Sequence, residues 1–250
     1  MLTVSIPVWR TPVALVDRAV ESCLANSSVQ TVVVTGDGAP VDYWHADRRV
    51  LVWHTPVQRG RYFVDDVVSR ACRTPYFTVH DADDYSDAGR LDRLLLEEAD
   101  VAYTDRETTH LDGRKQMRYA KTVPPYPVDI IWGVMALYRT EFVRGLFHPG
   151  FRVSWDALLD NIGFQFAARR RHVRGPLYRI VKRPGSLTTD NATRLRSEYR
   201  KAVTVVQRPM WDYIATLASV GEVRNYIAST VTPRLAAERD AQVARLKERL

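Results

Sequence analysis

The sequence predicts an α/β protein, with a mixed, mostly parallel sheet flanked by helices and a C-terminal helical extension. Three observations carry this. Short β-branched runs alternate with amphipathic helical patterns through the first 104 residues, in the order β-α-β-β-α-β-α-β, and such alternation implies a largely parallel sheet covered on both faces. The two most unusual loops, residues 36–40 and 80–84, each follow a strand-like run, where ligands of such sheets bind. From Thr193 onward the pattern is helical. The 250 residues suit one large domain with an appendage, and 46% apolar with 26% charged residues excludes wholesale disorder and collagen-like repeats.

Each element has a local reason. Leu2-Thr3-Val4-Ser5-Ile6, bounded by Pro7, reads as the first strand. Thr11-Pro12 then supplies an N-cap and an N1 proline, and Leu15, Val16, Ala19, Val20, Cys23 and Leu24 mark a helix over 12–25. Thr31–Val34 is β-branched throughout, as a buried strand requires, and runs into the turn Gly36-Asp37-Gly38-Ala39-Pro40. Val50–Trp53 is the third strand, Phe63 to Ala71 the second helix, and Tyr76–Val79 the fourth strand, ending at His80-Asp81-Ala82-Asp83-Asp84. Leu91, Leu94 and Leu95 mark a third helix, and Asp100–Tyr103 a fifth strand. Residues 105–120 suggest a polar hairpin around Asp112-Gly113. Residues 155–171 fit a helix closed by the cationic run Arg169–His172, and Leu177–Val181 a strand that leads to the basic turn Lys182–Ser186. Thr232-Pro233 begins a last helix with Leu235, Val243, Leu246 and Leu250 along one side, able to dock on the domain or to pair with a second copy as a homodimer.

Charge divides along the chain. Residues 1–125 carry 15 basic and 18 acidic groups, net −3; residues 126–250 carry 21 and 11, net +10. Of the 36 basic residues 31 are Arg, a bias that codon usage in a GC-rich genome accounts for. Cys23 and Cys72 lie within apolar helical patterns, as small buried hydrophobes. No stretch reaches eighteen uninterrupted apolar residues and no signal peptide is visible, so a cytoplasmic protein is expected, with the basic extension able to touch the inner membrane face.

Asp81, Asp83 and Asp84 are the sharpest chemical feature. Three carboxylates within four residues repel one another unless a cation compensates, and their oxygens suit Mg²⁺ or Mn²⁺, which keep open positions for phosphate oxygens. An acidic turn capping the following helix is the structural alternative.

At this point the chain resembles a family 2 glycosyltransferase of the GT-A fold, over residues 2–190 or so. Ser5-Ile6-Pro7-Val8 is similar to the family's opening strand, with Trp9-Arg10 where Tyr-Asn is usual. Val32-Val33-Val34 followed by Asp37-Gly38 resembles its second strand and turn, although position 36 is Gly where the family often has an acid. Thr74-Pro75-Tyr76-Phe77-Thr78-Val79-His80-Asp81-Ala82-Asp83-Asp84 resembles its "Pro-Tyr, apolar strand, Asp-Ala-Asp-Asp" segment. Gly133–Arg139, Trp155-Asp156 and Arg183–Thr188 resemble the acceptor border, the helix start that often reads Glu-Asp, and the terminal basic loop.

The resemblance implies a GT-A domain over 1–190, divided into a nucleotide-sugar half (1–104) and an acceptor half (105–190), with an extension over 191–250. It implies that Pro7 and Val8 border the nucleotide, that Asp37 contacts base or ribose, and that Asp81, Ala82 and Asp83 hold the diphosphate. Asp81 and Asp83 would be the ligands of Mn²⁺ or Mg²⁺, Lys182 or Arg183 a pyrophosphate clamp, and Trp132 and Gly133 the acceptor border. Asp156 would be the general base of an inverting transfer from a nucleotide-diphosphate sugar, UDP by default, to a hydroxyl. The acceptor is open among a glycan, a small molecule and a hydroxymethylated DNA base. Two rival functions are a sugar nucleotidyltransferase, which calls for a Gly-rich loop where Pro7-Val8-Trp9-Arg10 stand, and a non-catalytic glycan- or nucleic-acid-binding module, which would not need Asp81, Asp83 and Asp156.

Overall fold

The computed structural model describes residues 1–118, 136–186 and 197–250. Among these described residues, nine strands form one sheet: β1 (Leu2–Val8), β2 (Val29–Asp37), β3 (Val50–Thr55), β4 (Tyr76–Val79), β5 (Tyr85–Ser86), β6 (Val101–Thr109), β7 (Lys115–Arg118), β8 (Leu137–Arg139) and β9 (Arg170–Val181). The helices are α1 (Val13–Leu24), α2 (Arg61–Ala71), α3 (Arg90–Leu95), α4 (Thr140–Val143), α5 (Trp155–Phe166), α6 (Glu198–Ile214), α7 (Val220–Thr230) and α8 (Pro233–Lys247). Strand order is β3-β2-β1-β4-β8-β6-β9-β5, with β7 paired to β6. Strands β1 to β4 are mutually parallel, β8 runs antiparallel to β4 and β6, and β6 pairs parallel with β9. The expected mixed, mostly parallel α/β sheet flanked by helices is therefore present.

The parallel group sets the site. The carboxyl ends of β1, β2, β3 and β4 emerge at one edge, followed by residues 9–12, 38–49, 56–60 and 80–84. One apolar layer buries Val16 and Val20 of α1 against β1 and β2, and Leu91 and Leu94 of α3 beside β6, β8 and β9. The other packs α2 and α5 on the opposite face around Phe63, Val67, Trp155 and Ile162.

One expectation is corrected. The helix expected over 155–171 ends at Phe166, and Arg170-Arg171-His172 open β9, where they pair with Val101-Ala102-Tyr103. The apolar spacing lapses after Ala167, whose extended backbone (φ −72°, ψ 125°) turns the chain into the sheet. The cation still reaches the helix end, because Arg170 Nη1 donates to the Phe164 carbonyl from the strand. Leu177–Val181 is a strand as expected, the second half of β9, which continues through a bulge at Thr104–Arg106 opposite Gly175. The C-terminal helices share the second core: Met210, Ile214, Val223, Ile227, Val243 and Leu246 are buried in the layer that holds α2 and α5. The side of α8 with Leu235, Val243, Leu246 and Leu250 thus faces the chain's own domain. Among the described residues no helix is long and apolar enough to cross a membrane.

Candidate active site

The site is built around the first turn of α2. Asp37, at the end of β2, is nearly buried and accepts hydrogen bonds from the backbone N–H of Arg59 and of Gly60, both at 2.8 Å. Its carboxylate therefore fixes the entry to α2. Gly60 has φ +98°, and a Cβ there would lie 2.8 Å from Arg152 Cγ and 2.9 Å from Arg152 Cα. Only glycine meets both demands at low cost. The next two residues, Arg61 and Tyr62, then point at the two acidic positions that matter.

Arg61 Nη1 donates to Asp81 Oδ1 at 2.7 Å. Tyr62 O–H donates to Asp156 Oδ1 at 3.0 Å and accepts the Asp156 N–H at 3.1 Å. Asp156, at the start of α5, is held to one phenol by two bonds, one through its carboxylate and one through its backbone N–H. Burial pushes the Tyr62 hydroxyl well above its ordinary range, and the Asp156 charge adds to that, so Tyr62 stays protonated and donating. Arg61 lies in the field of both Asp81 and Asp156. One helical turn thereby links the strand-end acids to the expected base.

The loop after β4 is fixed from behind. His80 is fully buried, its Nδ1 on the Asp81 carbonyl at 2.9 Å and its Nε2 on Ser86 Oγ at 3.2 Å; burial lowers it to about 3, so it is neutral. The Asp81 N–H donates to Tyr178 Oη at 3.1 Å. Over the Tyr178 ring, 4.8 Å from its centroid, lies Arg90, fully buried and lowered by burial to about 10. Asp84 Oδ1 accepts the Val181 N–H at 2.9 Å, which ties the loop to the end of β9. Asp83 Oδ2 accepts from Arg183 Nε at 2.8 Å, while Arg183 Nη2 donates to Thr11 Oγ1 at 3.2 Å. The basic turn after β9 thus closes over the acidic loop and joins it to the loop after β1.

The donor set fits a divalent cation completed by phosphate oxygens. Burial, then repulsion from Asp81, raises Asp83 above the usual carboxylate range; burial, Asp81 and Asp83 raise Asp84 further. A carboxylate group in this state gains from added positive charge. Asp81 and Asp83 each commit one oxygen to a guanidinium and retain another. Among the described residues no group of three or more His, Cys, Asp or Glu is arranged to hold a metal. The oxygens that Asp81 and Asp83 retain match the one or two carboxylates that Mg²⁺ or Mn²⁺ takes beside substrate phosphate oxygens.

The other expected residues fall as follows. Pro7 and Val8 end β1 beside this loop, Pro7 half-buried and Val8 buried. The Ala82 side chain is buried in the core layer. Lys182 follows β9, its N–H on the Thr109 carbonyl, and burial lowers its ammonium below the ordinary range. Trp132 and Gly133 lie outside the described residues. His148 has both ring nitrogens engaged, by Thr230 and by the Gly150 N–H, and His172 pairs with Asp105. Gly36 has a steric reason: a Cβ there would sit 2.1 Å from the Ala39 carbonyl oxygen, so an acid at 36 would not fit this turn. Arg61 and Tyr62 are the residues that reading the sequence missed. Their only signal was Gly60 just before an amphipathic helix.

No family model matches the sequence, and no curated protein is similar to it at the level of sequence. Solved structures with a similar fold exist. The crystal structure of S. aureus TarS residues 1–349 in complex with UDP-GlcNAc superimposes with a TM-score of 0.55 at 14% identity, covering 74% of this chain and 59% of that one. The same fragment with UDP gives 0.53 at 13% identity, covering 73% and 61%. TarS itself gives 0.55 at 13% identity, covering 99% of this chain and 55% of that one. At this identity the likeness is one of fold, and the chain spans roughly 55–61% of the length of these neighbours.

Proposed function

We propose that the chain is a glycosyltransferase that moves a sugar from a nucleotide-diphosphate sugar, UDP-linked by preference, to an acceptor hydroxyl with inversion. The observation that carries this reading is the convergence on one turn of α2: Arg61 holds Asp81 and Tyr62 holds Asp156. Two acidic positions 75 residues apart in sequence are thereby set at one edge of the sheet, the edge at which α/β folds bind ligands. UDP-GlcNAc and UDP bound to structural neighbours support the choice of donor.

Each residue has a task. The β1 end at Pro7 and Val8 borders the nucleotide. Asp81 and Asp83 would hold Mg²⁺ or Mn²⁺, which when bound supplies Lewis-acid neutralisation of the diphosphate. Arg183, freed from Asp83 as the donor arrives, and Lys182 beside it pair with diphosphate oxygens, Arg183 through its bidentate fork. Asp156 accepts the acceptor's hydroxyl proton. The acceptor oxygen forms its bond to the anomeric carbon as the bond to the diphosphate oxygen breaks, and the electron pair leaves with the nucleoside diphosphate. Tyr62 keeps the Asp156 carboxylate aimed throughout.

The test is nucleotide-sugar hydrolysis with Mn²⁺. Asp83→Ala is expected to abolish it. Full activity in Asp83→Ala would remove the assignment of that loop.

A further inference from the structure

A cleft of about 410 Å³ lies at the far end of α2, bordered by Arg70, Arg144 and four residues of α8. Asp240, Val243, Ala244 and Lys247 recur at i, i+3, i+4 and i+7, so one face of α8 forms a wall. Arg70 stands in the last turn of α2 and Arg144 closes α4. From Arg61 to Arg70 the helix rises roughly 14 Å, which separates the cleft from the acidic loop.

Arg144 keeps its charge in the cleft while bonded to main-chain carbonyls, whereas Arg70 is paired with the buried Asp66. Arg144 donates to the carbonyls of Ser69 (3.4 Å) and Cys72 (3.1 Å). Arg73 Nη2 donates to the Lys247 carbonyl at 3.2 Å, and Arg224 Nε to the Arg144 carbonyl at 3.0 Å. A main-chain carbonyl orients a guanidinium and leaves its full charge in place. The carboxylates nearby are already engaged: Asp66 is buried against Arg70, and Asp240 is bonded to Arg239. The Lys247 ammonium has no partner among the described residues and is exposed. Burial lowers Arg224, the Glu141 charge opposes that, and the neighbouring Arg144 charge lowers it again. Val243 and Ala244 give the cleft an apolar wall beside these charges.

We propose that this cleft is a second anion site, which takes the phosphate group of a compact organic phosphate, with the carbon skeleton against Val243 and Ala244. Phosphate is the chemistry that several converging donors select, because three oxygens accept from different directions. The apolar wall of Val243 and Ala244 beside the cations favours an organic phosphate over a flat anionic surface.

Calorimetric titration with inorganic phosphate tests this directly. Saturable binding to the wild-type chain is expected, weakened about tenfold or more in Lys247→Glu, recovered in Lys247→Arg and unchanged in Arg183→Ala, with thermal unfolding unaltered by the Lys247 changes. Ribose 5-phosphate and a short phosphodiester oligomer, run in the same series, identify monoester or polymer as the source, and dependence on Lys247 in either supports the site. Absence of saturable phosphate binding overturns it. So does binding that survives Lys247→Glu and disappears in Arg183→Ala, which would place the phosphate in the donor site. Attachment only to anionic vesicles overturns it too.

Discussion

Tyr62 and Gly60 are the residues on which the site turns. Tyr62 contributes a hydrogen bond to a carboxylate, typically about 1.5–3 kcal/mol, so Tyr62→Phe should lower kcat by about tenfold or more while leaving the fold intact. Steady-state kinetics with circular dichroism would check it, and an unchanged kcat would remove Tyr62 from the site. Asp156→Asn should cost about 10²–10⁴ in kcat, the range of general-base catalysis, with donor binding retained by calorimetry. Gly60→Ala forces a Cβ into Arg152 at positive φ and should destabilise by more than about 1 kcal/mol in urea unfolding. Asp65 gives a pH signature. It is fully buried, takes a bond from Ser5 Oγ, and burial raises it to about 7, while Asp66 is raised to about 6. An unfolded aspartate titrates near ~3.9. Between the two values the folded chain keeps a proton that the unfolded chain has lost, so stability falls as pH rises through that window and levels off above it. Asp65→Asn should flatten the fall, read by denaturation at pH 5 and pH 8; a fall of undiminished depth would contradict the assignment. At this scale the sequence revealed the acids and hid their partners. Asp81, Asp83 and Asp156 sit in recognisable local patterns, whereas the arginine and the phenol that hold two of them come from a helix whose entry is set by Asp37, more than twenty residues earlier.

The elements tie the appended helices to the site. Arg59 meets Glu238 of α8 through both Nε and Nη2, and Arg239 approaches the buried Asp66 of α2 at 3.7 Å. Helix α8 is therefore a brace on the helix that carries Arg61 and Tyr62. Leu246, fully buried at this contact, should cost about 2–5 kcal/mol on truncation to alanine; a loss below that range would show that α8 is only loosely docked. Most strands and helices were legible because each is short, apolar and bounded by turn residues. The exception is informative. The run Arg169–His172 reads as a helix-closing cluster, yet it opens β9, because pairing with Val101–Tyr103 is a long-range contact that local spacing does not encode. The docking of α8 was likewise open from sequence, since an apolar seam is the same whether its partner is the chain itself or a copy.

Over the whole molecule, the division of charge acquires a geometry. The acidic half supplies the loop after β4, and the basic half supplies Arg183 from the turn after β9, which closes on it. Part of the remaining positive charge lines the far cleft of α2, α4 and α8. The parallel sheet, and the edge at which its strand-end loops gather, were legible from alternation alone, and the similar fold of TarS agrees with that architecture. The contacts that close the basic turn over the acidic loop join residues about a hundred positions apart, and no local pattern encodes them. The central claim is that the acidic loop binds the diphosphate of a nucleotide sugar with a divalent cation. It is tested most directly by calorimetric titration of UDP into the wild-type chain and Asp83→Ala, with and without Mn²⁺. The account predicts saturable binding that requires Mn²⁺ and is lost in Asp83→Ala. Binding of equal strength in both proteins, indifferent to Mn²⁺, would contradict it.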